Sequence, residues 1–299
     1  SSKRRPLTSI RVCGQRKHVN ADDFGIHSAV NKGVCRGFES GILTSTSLMA
    51  GGAAFDEAVH LARDLDGIGI GIHLTLVGGL PTVLPPEEVP SITWENRRLC
   101  TDYVELIKRD MNGLVLMDDV YREWDAQIQK ILDTGLPVTH IDGHQHMHMW
   151  NHFFPIALTL AKKYHISCMR VPDEKVFFGF TPTPKGLFRF AAKNGLSFMA
   201  RSHRHALKEA GIQTNDHFWG MMYGGHFYEH RMISILHRMG DGVSEIMCHP
   251  SADAAAMERT FHWGYEGEEE LKSLTSASVR NVLNERKIQL VSYQELRKS

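Results

Sequence analysis

Short apolar runs alternate along the chain with longer stretches in which apolar residues recur every three or four positions. Short apolar runs are typical of buried strands, and the longer spacing is typical of helices that pack on a sheet. The pattern predicts strands at 44–49, 67–73, 137–142, 167–171, 243–249 and 288–292. Between them it predicts helices at 28–40, 53–65, 118–134, 154–164 and 268–286.

Strands that alternate with helices indicate βαβ units and a parallel sheet. Six or seven such units favour an α/β fold of the (β/α) barrel type, complete or distorted, over an open sheet. No repeat or low-complexity linker interrupts the chain, so residues 1–299 are predicted to form a single barrel domain. The proline-rich segment 76–98 and the aromatic-rich segment 177–228 break the alternation. We expect both to be inserted loops at the active-site face.

Composition narrows the class of protein. Hydrophobic residues make up 42% and charged residues 23% of the 299 positions, as in an ordinary globular protein. The 34 Lys and Arg balance 34 Asp and Glu, so neither nucleic acid nor a membrane is expected as a partner. The basic residues 1–12 lack the apolar stretch of a secretion signal. Five scattered cysteines fit reduced thiols, so we expect a cytoplasmic protein, with a homo-oligomer compatible with these features.

One segment carries His or Asp at every second position, at His140, Asp142, His144, His146 and His148. In an extended chain alternate side chains share a face, so all five are predicted to point the same way. Crowded imidazoles repel one another when protonated, and a divalent metal removes that repulsion because neutral imidazole is a common ligand. The segment therefore indicates a metal site. A polar loop with hydrogen-bonded histidines is the alternative.

Other predicted strand ends also carry polar residues. Asp22 and Asp23 follow the first strand, His73 ends the Gly-Ile repeat, and His249 ends the run from residue 243. Each signal alone is weak, because Asp-Asp pairs occur in surface turns and strand-end histidines are often hydrogen-bonded core residues. In parallel α/β folds, however, catalytic groups gather at the carboxyl ends of strands. Because neighbouring side chains on a strand diverge, the two aspartates are free to take different roles.

Five motifs occur in order along the chain: NADDFG at 20–25, LTSTSLM at 43–49, GIHLT at 71–75, THIDGHQHMH at 139–148 and MCHP at 247–250. Together they resemble the motifs of the YdjC family of carbohydrate deacetylases, which includes chitooligosaccharide deacetylases. That family is more distantly similar to the polysaccharide deacetylases. The sequence LTSAS at 274–278 is also similar to the family, so the resemblance covers nearly the whole chain.

The resemblance implies a (β/α) barrel, often distorted, and an enzyme that removes an N-acetyl group, a linear amide, from an acetylated amino sugar. It implies Asp23, His73 and His144 as ligands of one divalent metal ion and Asp22 as the catalytic base. Two imidazoles with one carboxylate suit zinc or another transition metal. Magnesium stays open because occupancy follows availability as well as affinity.

The remaining candidates complete a hydrolytic site. His249 is placed to protonate the leaving amine as a general acid, with a structural histidine as the alternative. Arg170 resembles the arginine by which polysaccharide deacetylases orient their catalytic aspartate, with a surface arginine as the alternative. Asp142 and His146 are assigned to the substrate or to orienting the ligands. The candidates for stacking on a sugar ring are Trp94, Trp150, Trp219 and Trp263, with simple packing as the alternative for each.

Two other functions stay open. A metallo-amidohydrolase of another class typically begins with a His-x-His pair on its first strand, whereas this first strand ends in Asp22 and Asp23. A non-catalytic carbohydrate-binding relic is expected to have lost the base or a ligand, and all four of those residues are present here. Release of acetate from a panel of acetylated sugars distinguishes the three functions.

One departure from the family pattern concerns the first strand. The residues just before NADDFG are usually apolar in the family, but here Arg16, Lys17 and His18 occupy positions where core residues are expected. Charged side chains are rarely buried without partners. This departure predicts weak packing of the first strand and leaves the proposed ligands unaffected.

Overall fold

The computed structural model describes residues 16–94, 96–175 and 184–296. Its strands are β1 Arg16–Phe24, β2 Ser45–Leu48, β3 Gly69–Leu74, β4 Val138–Gly143, β5 His217–Trp219, β6 Val243–Cys248 and β7 Gln289–Leu290. Its first six helices are α1 Ser28–Glu39, α2 Phe55–Ala62, α3 Tyr103–Met111, α4 Met117–Leu132, α5 Phe154–Lys163 and α6 Pro184–Ser202. The others are α7 Arg204–Glu209, α8 Glu229–Arg238, α9 Ala254–Phe261, α10 Gly267–Thr275, α11 Ala277–Glu285 and α12 Tyr293–Leu296.

All the strands pair in parallel, in the order β4-β3-β2-β1-β6-β5, with β7 beside β1. The predicted strand 167–171 is not a regular strand. Met169 within it and Glu174 shortly after it make isolated bridges to β4 and β5, Ile141 with Met169 and Glu174 with Phe218. The fold is therefore an incomplete, distorted α/β barrel, as the sequence predicted. We refer to residues 168–174 as the seam.

The spacing of apolar residues in the strands and helices matches the positions that are buried in the barrel. Every residue of β2, β3 and β6 is buried, because helices cover the outside of a parallel sheet and side chains fill its inside. α4 buries Val120, Trp124, Ile128 and Ile131, which recur every three or four residues and form one face of the helix. The same spacing made these elements predictable. The predicted helix 268–286 is interrupted at Ser276, which caps α11 by accepting from the Val279 N–H.

The polar start of β1 is well packed, so the expectation of weak packing is wrong for Arg16–His18, while residues 11–15 lie outside the described chain. The buried Lys17 ammonium donates to three acceptors at the base of the sheet, Gly240 O at 2.6 Å, Gly242 O at 3.2 Å and Ser244 Oγ at 2.9 Å. Burial lowers the pKa of Lys17 to about 8, partly opposed by nearby carboxylates. The ring of His18 packs 4.2 Å from the ring of Tyr293.

The two segments expected to be inserted loops differ in structure. Residues 76–98 lie against α4, where Glu123 accepts hydrogen bonds from the Val83 and Leu84 N–H groups at 2.8 and 3.1 Å. The segment 177–228 is only partly an insertion, because it contains α6 and α7 and then β5, a strand of the barrel. Its residues 177–183 lie outside the described chain.

Candidate active site

The three side chains implied as metal ligands converge at one end of the sheet. Asp23 comes from the end of β1, His73 from β3, and His144 from the first position after β4. Their candidate ligand atoms all lie within 4.8 Å of one another, and all three residues are buried. Asp23 Oδ1 is 3.3 Å from His73 Nε2 and 2.9 Å from His144 Nδ1. Such spacing lets one ion contact all three groups.

The backbone bends sharply at two points to form this cluster. Asp23 has a φ of 66°, in the left-handed region, and the β1–β2 register shifts between Ala21 and Phe24. A bulge of this kind redirects a side chain, so Asp22 and Asp23 face different neighbours. After Gly143 the chain turns into a 3₁₀ helix in which Gln145 and His146 are also left-handed, with φ of 50° and 60°.

That turn overturns the prediction that the residues from His140 to His148 share one extended face. The strand ends at Gly143, so only His140 and Asp142 keep the alternation. His140 is fully buried and stacks on Tyr293, with ring centroids 3.8 Å apart. His148 donates from Nε2 to the Arg170 carbonyl at 3.1 Å. Both therefore have structural roles.

His73 is oriented by a buried carboxylate. Its Nδ1 lies 2.8 Å from Asp142 Oδ1, which leaves Nε2 directed at Asp23. Burial alone would lower the pKa of His73, but the charge of Asp142 and hydrogen bonds to Asp142 and Asp23 outweigh it and raise that pKa to about 10. Among the described residues, the polar neighbour of His73 Nε2 is Asp23 Oδ1 at 3.3 Å, a contact too poorly aligned to satisfy this nitrogen fully. A buried imidazole nitrogen without a well-aligned partner, next to a buried carboxylate, fits a metal ligand.

Asp22 is held by Arg170, as the resemblance implied. Two guanidinium nitrogens, Nη1 and Nη2, each donate to one oxygen of Asp22 at 2.7 Å. The fully buried Arg170 also lies 2.9 Å from Asp142 and donates from Nε to Glu245 at 2.8 Å. Burial would lower the pKa of Arg170, but the three carboxylates outweigh it and hold that pKa well above its ordinary range. Arg170 thus fixes Asp22, the candidate base, and links it to the carboxylate that orients His73.

Sequence reasoning missed Glu245. It is fully buried in β6, bonded to Arg170 and accepting from the Tyr293 hydroxyl at 2.7 Å. Burial raises its pKa, but Arg170 and His18 outweigh this and lower it to about 2. One charged residue inside the otherwise uncharged run Val243–Cys248 was the signal that could have found it.

A cavity of about 510 Å³ opens beside the cluster, and Asp22, His144, His146 and His249 line it with Trp263 and Tyr265. The backbone N–H of His249 donates a hydrogen bond to the Glu270 carboxylate, and the His249 ring lies 5.1 Å from the Tyr265 ring. Its buried Nδ1 has no hydrogen-bond partner among the described residues. The structure thus brings the candidate base, one ligand and the candidate acid to the same space.

Two residues predicted to contact substrate lie elsewhere. Asp142 is fully buried between His73 and Arg170 and does not line the cavity. Trp94 is also absent from the lining, and the Arg109 guanidinium lies over its ring, 4.3 Å from the ring centroid. Among the described residues of 76–98, none lines the cavity, because the segment is bound to α4.

Other elements form the walls, and sequence reasoning missed one of them. α3 contributes Tyr103 and Ile107, although no helix was predicted there. The segment expected to shape the site, 177–228, does so through α6 and the loop after β5. These lining residues are Arg189, Ala192, Lys193, Gly195, Leu196, Met199, Met221, Met222, Gly224 and His226.

A distorted parallel barrel with a buried Asp-His-His cluster and an arginine-held aspartate at its strand ends defines a class of α/β-barrel proteins with a candidate metal centre. Residues 18–285 match the model of the YdjC-like protein family, and the chain belongs to that family. The family prediction is confirmed, and the expectation of an enzyme is confirmed with it. Within the described chain, no helix combines the length and the apolar character needed to cross a membrane.

Relatives of known name match over nearly their full length. A carbohydrate deacetylase of Geobacillus stearothermophilus is 31% identical over 281 residues, which cover 94% of this chain and 97% of that protein. A carbohydrate deacetylase of Brevibacillus brevis is 32% identical over 279 residues, covering 93% and 98%. A solved structure from Enterococcus faecalis V583, provisionally assigned to cellobiose-phosphate cleavage, is similar with a TM-score of 0.77 and 26% identity. That match covers 95% of this chain and 99% of the other.

Proposed function

We propose that this protein hydrolyses the N-acetyl group of an amino sugar or oligosaccharide and releases acetate and the free amine. One observation carries the proposal: the Asp23, His73 and His144 cluster lies next to Asp22, in contact with a cavity that His249 also lines. The relatives named carbohydrate deacetylases support the choice of a sugar amide.

The cluster fits one divalent ion. Two imidazoles and one carboxylate form a donor set typical of catalytic zinc sites and of other transition metals, and magnesium is the alternative that prefers oxygen. Held by Asp23, His73 and His144, the ion would supply Lewis acidity to the amide carbonyl and to the attacking water. The buried Asp142 would keep His73 in the orientation that directs Nε2 at the ion.

Asp22 takes the proton of the attacking water. Its Oδ1 already accepts from Arg170 Nη2 and from Asn20 Nδ2 at 2.8 Å, whereas Oδ2 accepts only from Arg170 Nη1 among the described residues. A carboxylate oxygen has two lone pairs, so Oδ2 keeps one for the proton. The two bonds from Arg170 hold this oxygen in place during the transfer.

His249 protonates the nitrogen as the carbon–nitrogen bond breaks. An amide nitrogen leaves poorly until it gains a proton, so the reaction needs an acid on the side of the leaving group. His249 lines the same cavity as Asp22, and its Nδ1 is not committed to another described residue. The sugar amine and acetate are the products, and the proton taken by Asp22 balances the one given by His249.

Acetate release tests the proposal. Purified protein is incubated with N-acetylglucosamine, its short β-1,4 oligomers and, as a different amide class, N-acetyl amino acids, with and without added zinc. We expect acetate from the sugars only, and only with metal. Release from the amino acids alone would point to another metallo-amidohydrolase. Sugar binding without any acetate would point to a carbohydrate-binding relic.

A further inference from the structure

The cavity has two chemically different sides. One side presents Asp22, His144 and His249, the groups proposed for the reaction. The other side is formed by α3, α6 and the loop at Met221 and Met222, and it is largely apolar. The proposed chemistry uses only the first side, so the second is left to bind a part of the substrate that does not react.

The apolar side is formed by residues that lie on one face of each of two helices, α3 and α6. In α6, Ala192, Leu196 and Met199 line the cavity and are spaced four and three residues apart, so they share one face of the helix. In α3, Tyr103 and Ile107 line it with a spacing of four. The two helices thus present matching apolar stripes to the same space.

Methionines are unusually frequent in this lining. Met199, Met221 and Met222 belong to the apolar side, and Met147 and Met247 line other parts of the cavity. A methionine side chain is unbranched and adapts its shape to flexible apolar groups. Sugar hydroxyls placed against such side chains would lose hydrogen bonds to water without replacement. An alkyl group placed there would bind favourably, because its apolar surface would be removed from water.

Polar groups on this side are already partly engaged. Lys193 donates from Nζ to the Lys175 carbonyl at 2.7 Å, and Gln145 Oε1 accepts from the Tyr103 N–H at 3.0 Å. Arg189 begins the α6 stripe and is exposed to solvent. These contacts engage part of the polar surface on this side, so the surface that remains is mainly apolar.

A second and much smaller void adjoins the candidate reacting groups. A void of about 10 Å³ lies beside Asp22, Asp23 and His249, walled by Val30 and Met257 among others. A space of that size admits one group of about the size of a water molecule or a methyl. An acyl group bound in this void would have to be small, and the apolar side of the cavity would then be available to another part of the molecule.

We infer that the substrate is an N-acetylated amino sugar joined, outside its acyl group, to an apolar aglycone such as an alkyl chain. The aglycone binds between the stripes of α3 and α6 while the acetamido group meets Asp22 and the metal ligands. This inference rests on the proposed deacetylation and adds the class of substrate to it.

Matched glycosides test the inference. Acetate release is measured with methyl and octyl β-glycosides of N-acetylglucosamine, below the concentration at which the octyl compound forms micelles. Each buried methylene strengthens binding about fourfold, so three or four of them raise kcat/KM on the order of 10²-fold. The methyl glycoside of N-octanoylglucosamine should not be hydrolysed. Equal kcat/KM for both acetylated glycosides, or turnover of the octanoyl compound, overturns the inference.

Variants on one helix supply the control. Leu196→Ser and Met199→Ser should each lower the octyl-to-methyl ratio of kcat/KM at least severalfold. Phe198→Ser lies between them on α6, but Phe198 is 74% exposed and does not line the cavity, so the ratio should not change. A ratio that falls equally in all three variants would contradict a specific apolar subsite.

Calorimetry separates this inference from the proposed function. Binding of the octyl and methyl glycosides is measured on metal-free protein, where no turnover is expected. Tighter binding of the octyl compound, weakened by Leu196→Ser, supports the apolar subsite even if no sugar yields acetate, and in that case the proposed function alone fails. Acetate release without any preference for octyl in binding or turnover refutes the subsite and leaves the proposed function intact.

Discussion

Asp22 and Asp23 are adjacent in sequence and have the same side chain, yet their surroundings differ completely. Arg170 and Asn20 surround Asp22, whereas two imidazoles surround Asp23. Burial raises the pKa of Asp23, but His144 and His73 outweigh it and hold that pKa well below its ordinary value. A carboxylate that stays ionised between two imidazoles is suited to holding a cation. The left-handed turn at Asp23 makes this division of roles possible.

Asp22→Asn should therefore keep the metal and lose turnover. Removal of a general base typically costs on the order of 10²–10⁴-fold in rate. Metal content, measured by atomic emission, should stay near one ion per chain, while His144→Ala should lose both metal and activity. If Asp22→Asn loses the metal but remains folded, the roles of the two aspartates are reversed.

In the proposed mechanism, Glu245 acts on Asp22 through Arg170. We expect Glu245→Gln to lower kcat about 10–100-fold with little change in KM, because a small displacement of a positioning group is costly and substrate does not contact Glu245. Metal content should be unchanged. The exposed Glu269→Gln on α10 is the matched control and should behave as the parent. A rise in KM with unchanged kcat would argue against positioning of Arg170.

Among the elements, β1 shows how polar residues are accommodated in a buried strand. Lys17 lies in a strand that pairs in register with β6 over six residues, from Arg16 with Val243 to Ala21 with Cys248. Its ammonium donates to two backbone carbonyls and a hydroxyl. The strand therefore tolerates a lysine that burial alone would exclude.

The lowered pKa of Lys17 predicts a pH dependence of stability. The unfolded lysine has a pKa of 10.5 and the folded one about 8, so the unfolded chain binds more protons between those values. The contribution of Lys17 to stability therefore rises as pH increases from 8 to 10.5. Relative to Lys17→Gln, the parent should gain about 1–3 kcal/mol across that range in denaturant unfolding. A constant difference between the two proteins would contradict the assignment.

Prediction from sequence succeeded where one element carries its own pattern. Strands such as β3 and helices such as α4 show the period of a buried or half-buried element, and the candidate ligand His73 lies near the end of β3. The three residues of β5 are too short to show a period. Glycine usually marks left-handed positions in a sequence, but after Gly143 these positions are occupied by Gln145 and His146, so the turn could not be predicted.

Long-range partners were the other limit. The contact between Arg170 and Glu245 joins residues 75 positions apart, and nothing local to either residue announces it. The placement of Trp94 failed for the same reason, since its Arg109 partner lies on a helix that was not predicted. Periodicity describes which face of an element is buried and cannot describe what it is buried against.

For the molecule as a whole, the proposed metal is a ligand of the folded state. An ion that binds only the folded chain stabilises it by about 2.7 kcal/mol at a hundredfold excess over its Kd. We expect zinc to raise Tm and Asp23→Asn to remove that rise, with the exposed Asp133→Asn as control. Chelation should abolish activity and leave the circular dichroism spectrum intact, because a barrel of this size has a sufficient core. Unfolding on chelation would indicate a structural ion.

The seam at residues 168–174 divides the residues of the site into two groups along the chain, which mutations can change separately. The ligands Asp23, His73 and His144 all precede it, on neighbouring strands joined by continuous backbone pairing. The candidate base Asp22 precedes it as well. Arg170, Glu245 and the candidate acid His249, which position the base or act on the leaving group in the proposed mechanism, lie on it or after it in the chain. Mutations that accumulate from the seam onward would abolish catalysis and leave the cation-binding site intact. Descendants of such a barrel can therefore lose catalysis in one step and still be recruited to sense or store metal.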